Sequence, residues 1–140
     1  MLIAIVPDRT LSRDGTEDSY SARWIARLKE LGYEVRTVDI AKTDVLEQIR
    51  GCNAFMWRMP HSPYPRQFAL KLLHAVEHGL GIPVFPDCRT SWHYDDKIAQ
   101  HYLLVASGIP VPRTWIFWDR EEAMQFSQEA DYPLVMKLAR

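Results

Sequence analysis

The sequence predicts an α/β fold built on a parallel four-stranded sheet, and three observations support this. Short apolar runs alternate with amphipathic helical segments between Leu2 and Phe85. The first run, Leu2–Val6, is apolar at every position, which is typical of a strand buried on both faces of a parallel sheet. Glycines follow the helical segments, where a helix often ends on a left-handed residue. Such an alternation builds a parallel sheet with helices on both faces and right-handed crossovers.

The elements of the first unit follow one another closely. The first strand is followed by a polar loop over 9–17, a helix that begins at Asp18 or Ser19 and stops at Gly32, and a second strand over 33–40. A short helix capped by Thr43 and a third strand over 54–57 come next. A helix over 66–78 and a fourth strand over 82–85 complete the series. A polar loop is expected from Pro86 to Tyr94. Residues 1–94 are therefore predicted to form one α/β domain.

A second unit is predicted over residues 95–140. Asp96 begins a helix that reaches Ser107, and the prolines that follow Gly108 impose an extended linker. A strand over 115–118, a helix with the capping box of Asp119 and Glu122, and a strand over 132–137 come next. This unit is too short for a core of its own, so we interpret the chain as cut short.

Composition excludes several classes of protein. The 140 residues carry 17 basic and 18 acidic side chains without a block of like charge, so no nucleic acid or membrane partner is predicted. The amino-terminal apolar run is too short for a signal peptide, and no run approaches the roughly 20 apolar residues of a membrane span. We expect a cytoplasmic protein in which Cys52 and Cys88 are reduced packing residues.

One strand end carries a candidate binding residue. Arg58 follows the strand over 54–57, at the edge where open parallel sheets bind ligands, and a guanidinium there can hold a carboxylate or a phosphate. Neither G-x-G-x-x-G nor a P-loop occurs, which disfavours a dinucleotide-binding enzyme. Without those glycines, Asp39 at the end of the second strand is interpreted as a turn residue.

The segment His74-Ala75-Val76-Glu77-His78 matches the H-x-x-E-H pattern of a class of zinc hydrolases. Both histidines are expected on the solvated face of their helix, opposite the apolar stripe of Leu72 and Leu73, and no acidic third ligand is evident. We therefore predict no metal site in this chain. A zinc hydrolase stays open as an alternative that bound metal would support.

The second unit carries the most specific set of motifs. They are Asp96-Lys97 at the start of a helix, the G-I-P-V-P-x-T segment over 108–114, the capped helix with Glu122-Ala123 and Phe126, and the Y-P-L-V-M-K strand over 132–137. Together they resemble the start of an ATP-grasp domain. The α/β unit before them resembles the Rossmann-like pre-ATP-grasp domain that precedes it in such ligases, followed here by an incomplete α+β subdomain.

The resemblance implies an ATP-dependent carboxylate–amine ligase, or a similar ligase, that works through an acyl phosphate. In that family, lysines at the places of Lys97 and Lys137 contact the phosphates of the nucleotide, with Mg²⁺ beside them. The strand ends of the first domain contribute to the acceptor side, which points to Asp8 and Arg58 as substrate-binding residues. The substrates would be small-molecule or peptide carboxylates and amines.

The chain departs from the family pattern in what it lacks. The Gly-rich loop after Lys137 and the magnesium ligands are not found in these residues, and no residue is assigned as catalytic. We therefore expect this chain alone to be inactive and to hold neither ATP nor Mg²⁺. The alternative is a non-catalytic docking module of the same fold. Exposed apolar positions of the second unit, such as Trp115, Phe117 and Val135, also favour a homodimer.

Overall fold

A four-stranded parallel sheet organises the first part of the chain. The computed structural model describes residues 1–8, 19–59 and 63–137, apart from the side chains of residues 63–65. The strands are β1 (Leu2–Ile5), β2 (Glu34–Thr37), β3 (Ala54–Met56) and β4 (Val84–Phe85). Their order is β2-β1-β3-β4, and every pairing is parallel. The predicted α/β fold is confirmed.

Strand β1 is the centre of this sheet. It pairs with β2 in the register Leu2 to Glu34 and with β3 in the register Ile3 to Ala54. Successive residues Ile3, Ala4 and Ile5 are all buried. Since their side chains alternate between the two faces of the sheet, both faces must be covered. β2 is an edge strand with exposed residues, which suits an unpaired edge.

The helices of the first unit are α1 (Tyr20–Glu30), α2 (Val45–Ile49), α3 (Pro63–His74) and α4 (Cys88–Ser91). The predicted start of α1 is confirmed, because the Ser19 hydroxyl accepts the amide of Ala22 at 3.0 Å. Its predicted end is confirmed too, because the chain leaves the helix at Gly32 with a φ of 80°.

Three details differ from the sequence prediction. The N-cap of α2 is Asp44 rather than Thr43. The helix over 66–78 ends in a π-helical turn, Ala75–Gly79, in which the amide of Leu80 donates to the carbonyl of Ala75 at 3.1 Å. The loop expected over 86–94 contains α4, whose amide at Thr90 donates to Asp87 Oδ1 at 2.8 Å. This single turn depends on its cap and has no apolar periodicity that would reveal it.

The chain divides into two compact units, residues 1–92 and 93–140. The second unit contains α5 (Lys97–Ala106) and α6 (Arg120–Glu129). Asp96 and Asp119 cap these helices as predicted. Trp115 and Phe117 pack against Phe126 of α6, with ring centroids 4.9 and 5.1 Å apart.

The predicted strands over 115–118 and 132–137 are not formed among the described residues. An extended segment becomes a strand only when a neighbour accepts and donates its backbone hydrogen bonds, and two such segments alone make a marginal sheet. None of residues 93–137 is buried, so the second unit has no closed core within this range. Val135 and Met136 are 84% and 87% exposed.

No helix among the described residues combines the length and the apolar character needed to cross a bilayer.

The core of the first unit predicts a clear effect of truncation at Leu73, which is fully buried on α3. Leu73→Ala should lower the free energy of unfolding by about 2–5 kcal/mol, because it removes buried methyl groups and leaves a cavity. Urea denaturation followed by circular dichroism measures the change. Leu31→Ala, at a position that is 55% exposed, is the matched control and should cost less than about 1 kcal/mol. Equal losses in the two variants would contradict this assignment of the core.

Candidate functional site

Asp8 and Arg58 meet at the carboxyl edge of the sheet. Asp8 follows β1 and Arg58 follows the neighbouring strand β3, and the amide of Val6 donates to the carbonyl of Met56 at 3.0 Å to continue that pairing. Arg58 Nη1 donates to Asp8 Oδ2 at 3.4 Å. The two residues predicted to bind substrate therefore form one ion pair.

The carboxylate of Asp8 is also bound by the first turn of α1. The amide of Ser21 donates to Asp8 Oδ1 at 2.9 Å, and the Ser21 hydroxyl donates to the same oxygen. In return, the amide of Asp8 donates to Ser21 Oγ at 2.7 Å. Ser21 is fully buried. Asp8 thus supplies the negative charge that a helix N-terminus favours, and its second oxygen is left to face Arg58.

The pKa of the Asp8 carboxyl lies below its ordinary value. Burial by itself would raise this pKa, but the hydrogen bonds from the Ser21 hydroxyl and amide, together with the charge of Arg58, lower it by more. Asp8 is therefore ionised at neutral pH. A carboxylate so well supplied with donors is suited to orienting Arg58 rather than to accepting a proton during a reaction.

The side chain of Arg58 is partly accessible. Its side chain is 37% exposed, and its Cζ lies 4.4 Å above the ring centroid of Tyr20. The aromatic face and the Asp8 carboxylate together fix the plane of the guanidinium. A guanidinium has five N–H donors, and the hydrogen bond described for Arg58 uses Nη1. The remaining donors are suited to a carboxylate or phosphate of a ligand.

Lys97 is the first residue of α5. Asp96 Oδ1 accepts the amides of Ile98 and Ala99 at 3.1 and 3.0 Å. Lys97 Nζ lies 3.2 Å from Gln100 Oε1 and 3.7 Å from Asp95 Oδ1. A cation in the first turn opposes the helix dipole, so the helix gains no stability from this charge.

Asp95 directly precedes this turn with a φ of 54°. That left-handed conformation is uncommon outside glycine, although aspartate tolerates it better than most residues.

Lys137 is exposed, and it follows the exposed Met136. Both lysines lie in the unit 93–140, whereas Asp8 and Arg58 lie in the unit 1–92. The proposed phosphate contacts of Lys97 and Lys137 stay predictions.

Sequence reasoning missed two partners of the site, Ser21 and Tyr20. A serine in the first turn of a helix is common, and its contact with Asp8 depends on how the chain returns after β1. The interpretation of Asp39 as a turn residue is supported, because Asp39 Oδ1 accepts the amide of Ala41 at 3.0 Å.

A third missed feature is the position of Cys88. Its thiol lies near the side chains of His74 and His78. Burial, together with the hydrogen bond and the charge of Glu77, raises the pKa of the Cys88 thiol to about 12. A thiol with this pKa is protonated at neutral pH, so Cys88 is not an activated nucleophile.

The lowered pKa of Asp8 predicts a pH-dependent contribution to stability. Because the folded-state pKa lies below the unfolded value of 3.8, the contribution is fully present well above pH 3.8 and is lost as the pH falls through the folded-state pKa. Asp8→Asn should lower the free energy of unfolding by about 1–3 kcal/mol at pH 7, and the difference from the wild type should shrink in acid.

Chemical denaturation between pH 7 and pH 2.5 tests this expectation. Glu34→Gln, on the exposed edge strand β2, is the matched control and should cost little at any pH. A difference between wild type and Asp8→Asn that stays constant down to pH 2.5 would contradict the role given to the Asp8 charge.

The chain is similar over part of its length to a known ligase. No protein-family model matches this chain. The chain is 36% identical over 58 residues to the alpha-aminoadipate–LysW ligase LysX of Saccharolobus solfataricus. The match covers 41% of this chain and 21% of LysX, so the chain spans about a fifth of the length of that relative. This partial match supports a relationship to the ATP-grasp superfamily of ATP-dependent ligases and nothing finer.

Proposed function

We propose that this chain is the amino-terminal part of an ATP-dependent carboxylate–amine ligase, or of a similar ligase, that works through an acyl phosphate. The observation that carries the proposal is the 36% identity over 58 residues to a ligase. The parallel sheet order β2-β1-β3-β4, followed by a unit that opens with the capped helix α5, is consistent with the expected pre-ATP-grasp arrangement.

The proposed reaction has two steps. An oxygen of the substrate carboxylate attacks the γ-phosphorus of ATP, and ADP leaves with the electrons of the broken bond. The amine nitrogen then attacks the carbonyl carbon of the acyl phosphate, phosphate leaves, and the nitrogen loses a proton. Charge accumulates on phosphoryl oxygens in the first step; lysine ammonium groups would stabilise it, and Mg²⁺ would supply further positive charge when bound.

Lys97 suits this role by position. Its ammonium group lies on a side chain that is 60% exposed, at the start of α5, where a cation contributes nothing to helix stability. A lysine is a compact charge that binds phosphate without a fixed geometry. Lys137 is likewise exposed. We assign to these two residues the binding of the nucleotide phosphates.

Arg58 suits the acceptor side. Asp8 and Tyr20 hold its guanidinium at the carboxyl edge of the sheet, where ligands of open parallel sheets bind. A planar guanidinium can donate two parallel hydrogen bonds to a substrate carboxylate. We assign substrate binding to Arg58, and to Asp8 the task of orienting it.

The test of the ligase is made on the full-length protein. ADP release should require a carboxylate substrate, and hydroxylamine should trap the acyl phosphate as a hydroxamate.

Lys97→Ala and Lys137→Ala should each lower kcat/KM about tenfold to a thousandfold, because each removes a charge-assisted contact with the phosphates. Lys42→Ala, at an exposed position of the first unit, is the matched control. Folded protein that releases no ADP with any carboxylate would favour the non-catalytic docking module instead.

The isolated 140-residue chain should bind ATP weakly. Two lysines are the phosphate contacts assigned here, and high affinity for a nucleotide generally needs a pocket that buries most of the ligand. Isothermal titration calorimetry with ATP and Mg²⁺ measures the affinity. A dissociation constant in the micromolar range for this chain would contradict the expectation.

A further inference from the structure

Three side chains outside the Asp8 and Arg58 pair form a cluster of metal-ligating groups: His74, His78 and Cys88. One donor atom from each of them lies within 4.8 Å of the others. Imidazole nitrogen and thiolate sulfur are the donors that Zn²⁺ prefers, and three protein ligands leave a fourth tetrahedral position for water. We propose that this cluster is a transition-metal site and that Zn²⁺ is its occupant.

The two histidines are presented on one side of a helical segment. His74 ends α3, His78 lies in the π-helical turn that follows, and their ring centroids are 5.6 Å apart. Both side chains are exposed, so an ion can reach them from solvent. Short π-helical segments are rare and are found frequently at functional sites.

One nitrogen of the His74 ring is held by the backbone. Its Nδ1 lies 2.7 Å from the carbonyl oxygen of Leu70. With a proton on Nδ1, the ring donates to this carbonyl, and the lone pair of Nε2 is free for a metal. Metal-bound histidines commonly donate their other ring nitrogen to a backbone carbonyl in this way.

Cys88 is held against the histidine turn by a hydrogen bond to Glu77. Asp87 caps α4 and so fixes the start of the helix that contains Cys88. Glu77, which lies in the same π-helical turn as His78, accepts the amide of Cys88 at 2.9 Å through Oε2. Glu77 therefore connects the two segments that supply the ligands.

The cluster is somewhat wider than an occupied site. Zn–N distances of about 2.0–2.1 Å and a Zn–S distance of about 2.3 Å place tetrahedral ligands about 3.3–3.6 Å apart. Since the donor atoms lie within 4.8 Å of one another, a contraction of at most about 1.2–1.5 Å is needed. Rotation of the exposed imidazole of His78 can contribute to it without moving the buried Cys88 or breaking the hydrogen bond between His74 and Leu70. The thiol proton passes to buffer when sulfur binds the ion.

The occupied site would differ from that of a zinc hydrolase. In the H-x-x-E-H pattern the glutamate serves as general base, but Glu77 is engaged by the amide and the thiol of Cys88. The third ligand is the buried Cys88, and because Glu77 is not free to act as the base, the site is inferred to bind the ion without hydrolytic activity. This inference is independent of the proposed ligase activity.

The first test is a Zn²⁺ titration of the reduced 140-residue chain by isothermal titration calorimetry. The wild type should bind one equivalent at this site. Loss of an outer-shell partner commonly weakens metal binding tenfold to a hundredfold, so removing two ligands in His74→Ala/His78→Ala should weaken it about a hundredfold or more. His101→Ala, a histidine of the second unit, is the matched control and should leave this binding unchanged. Circular dichroism checks that the variants fold.

The second test identifies the sulfur ligand with Co²⁺ as a spectroscopic probe. A thiolate-to-cobalt charge-transfer band should appear in the wild type and in Cys52→Ser and be absent from Cys88→Ser. Cys52 is also a free and buried cysteine, which makes it the matched control. Absence of Zn²⁺ binding to the wild type, binding unaffected by loss of both histidines, or a band that persists in Cys88→Ser would each overturn the proposal.

Discussion

The parallel pairing of β1 with both of its neighbours is the constraint on which the first unit depends. β1 is buried on both faces and lies between β2 and β3. Because parallel neighbours end at the same edge, the residues after β1 and β3 must come together there. The meeting of Asp8 and Arg58, fifty positions apart in the sequence, follows from this pairing.

Much of the fold could be predicted from the sequence because local signals and the global arrangement agree. The apolar run specifies β1, and the serine cap and the following glycine specify the two ends of α1. The strands predicted over 115–118 and 132–137 were wrong for a physical reason. Their composition favours extended backbone, but pairing needs partners that the described residues do not supply.

Of the residues that form the candidate site, only the charged pair could be predicted from the sequence. Arg58 could be found because it follows an apolar strand, and the resemblance to ATP-grasp ligases added Asp8. Their support by Ser21 and Tyr20 could not be found, because it depends on the packing of α1 against the strand ends. The metal-ligating cluster shows the same limit. The two histidines share a helical segment and are visible as a motif, whereas Cys88 reaches them only after the chain has passed through β4.

The occupied first turn of α1 has a consequence for any ligand at this edge. Ser19 accepts the amide of Ala22, and Asp8 accepts the amide of Ser21. These two amides at the positive end of the helix dipole are therefore hydrogen-bonded within the protein. An incoming anion meets an arginine whose charge is already partly balanced by Asp8, and it binds through the guanidinium donors that Asp8 does not use. Selectivity at such a site rests on shape and hydrogen-bond direction more than on net charge, and it should vary little with ionic strength.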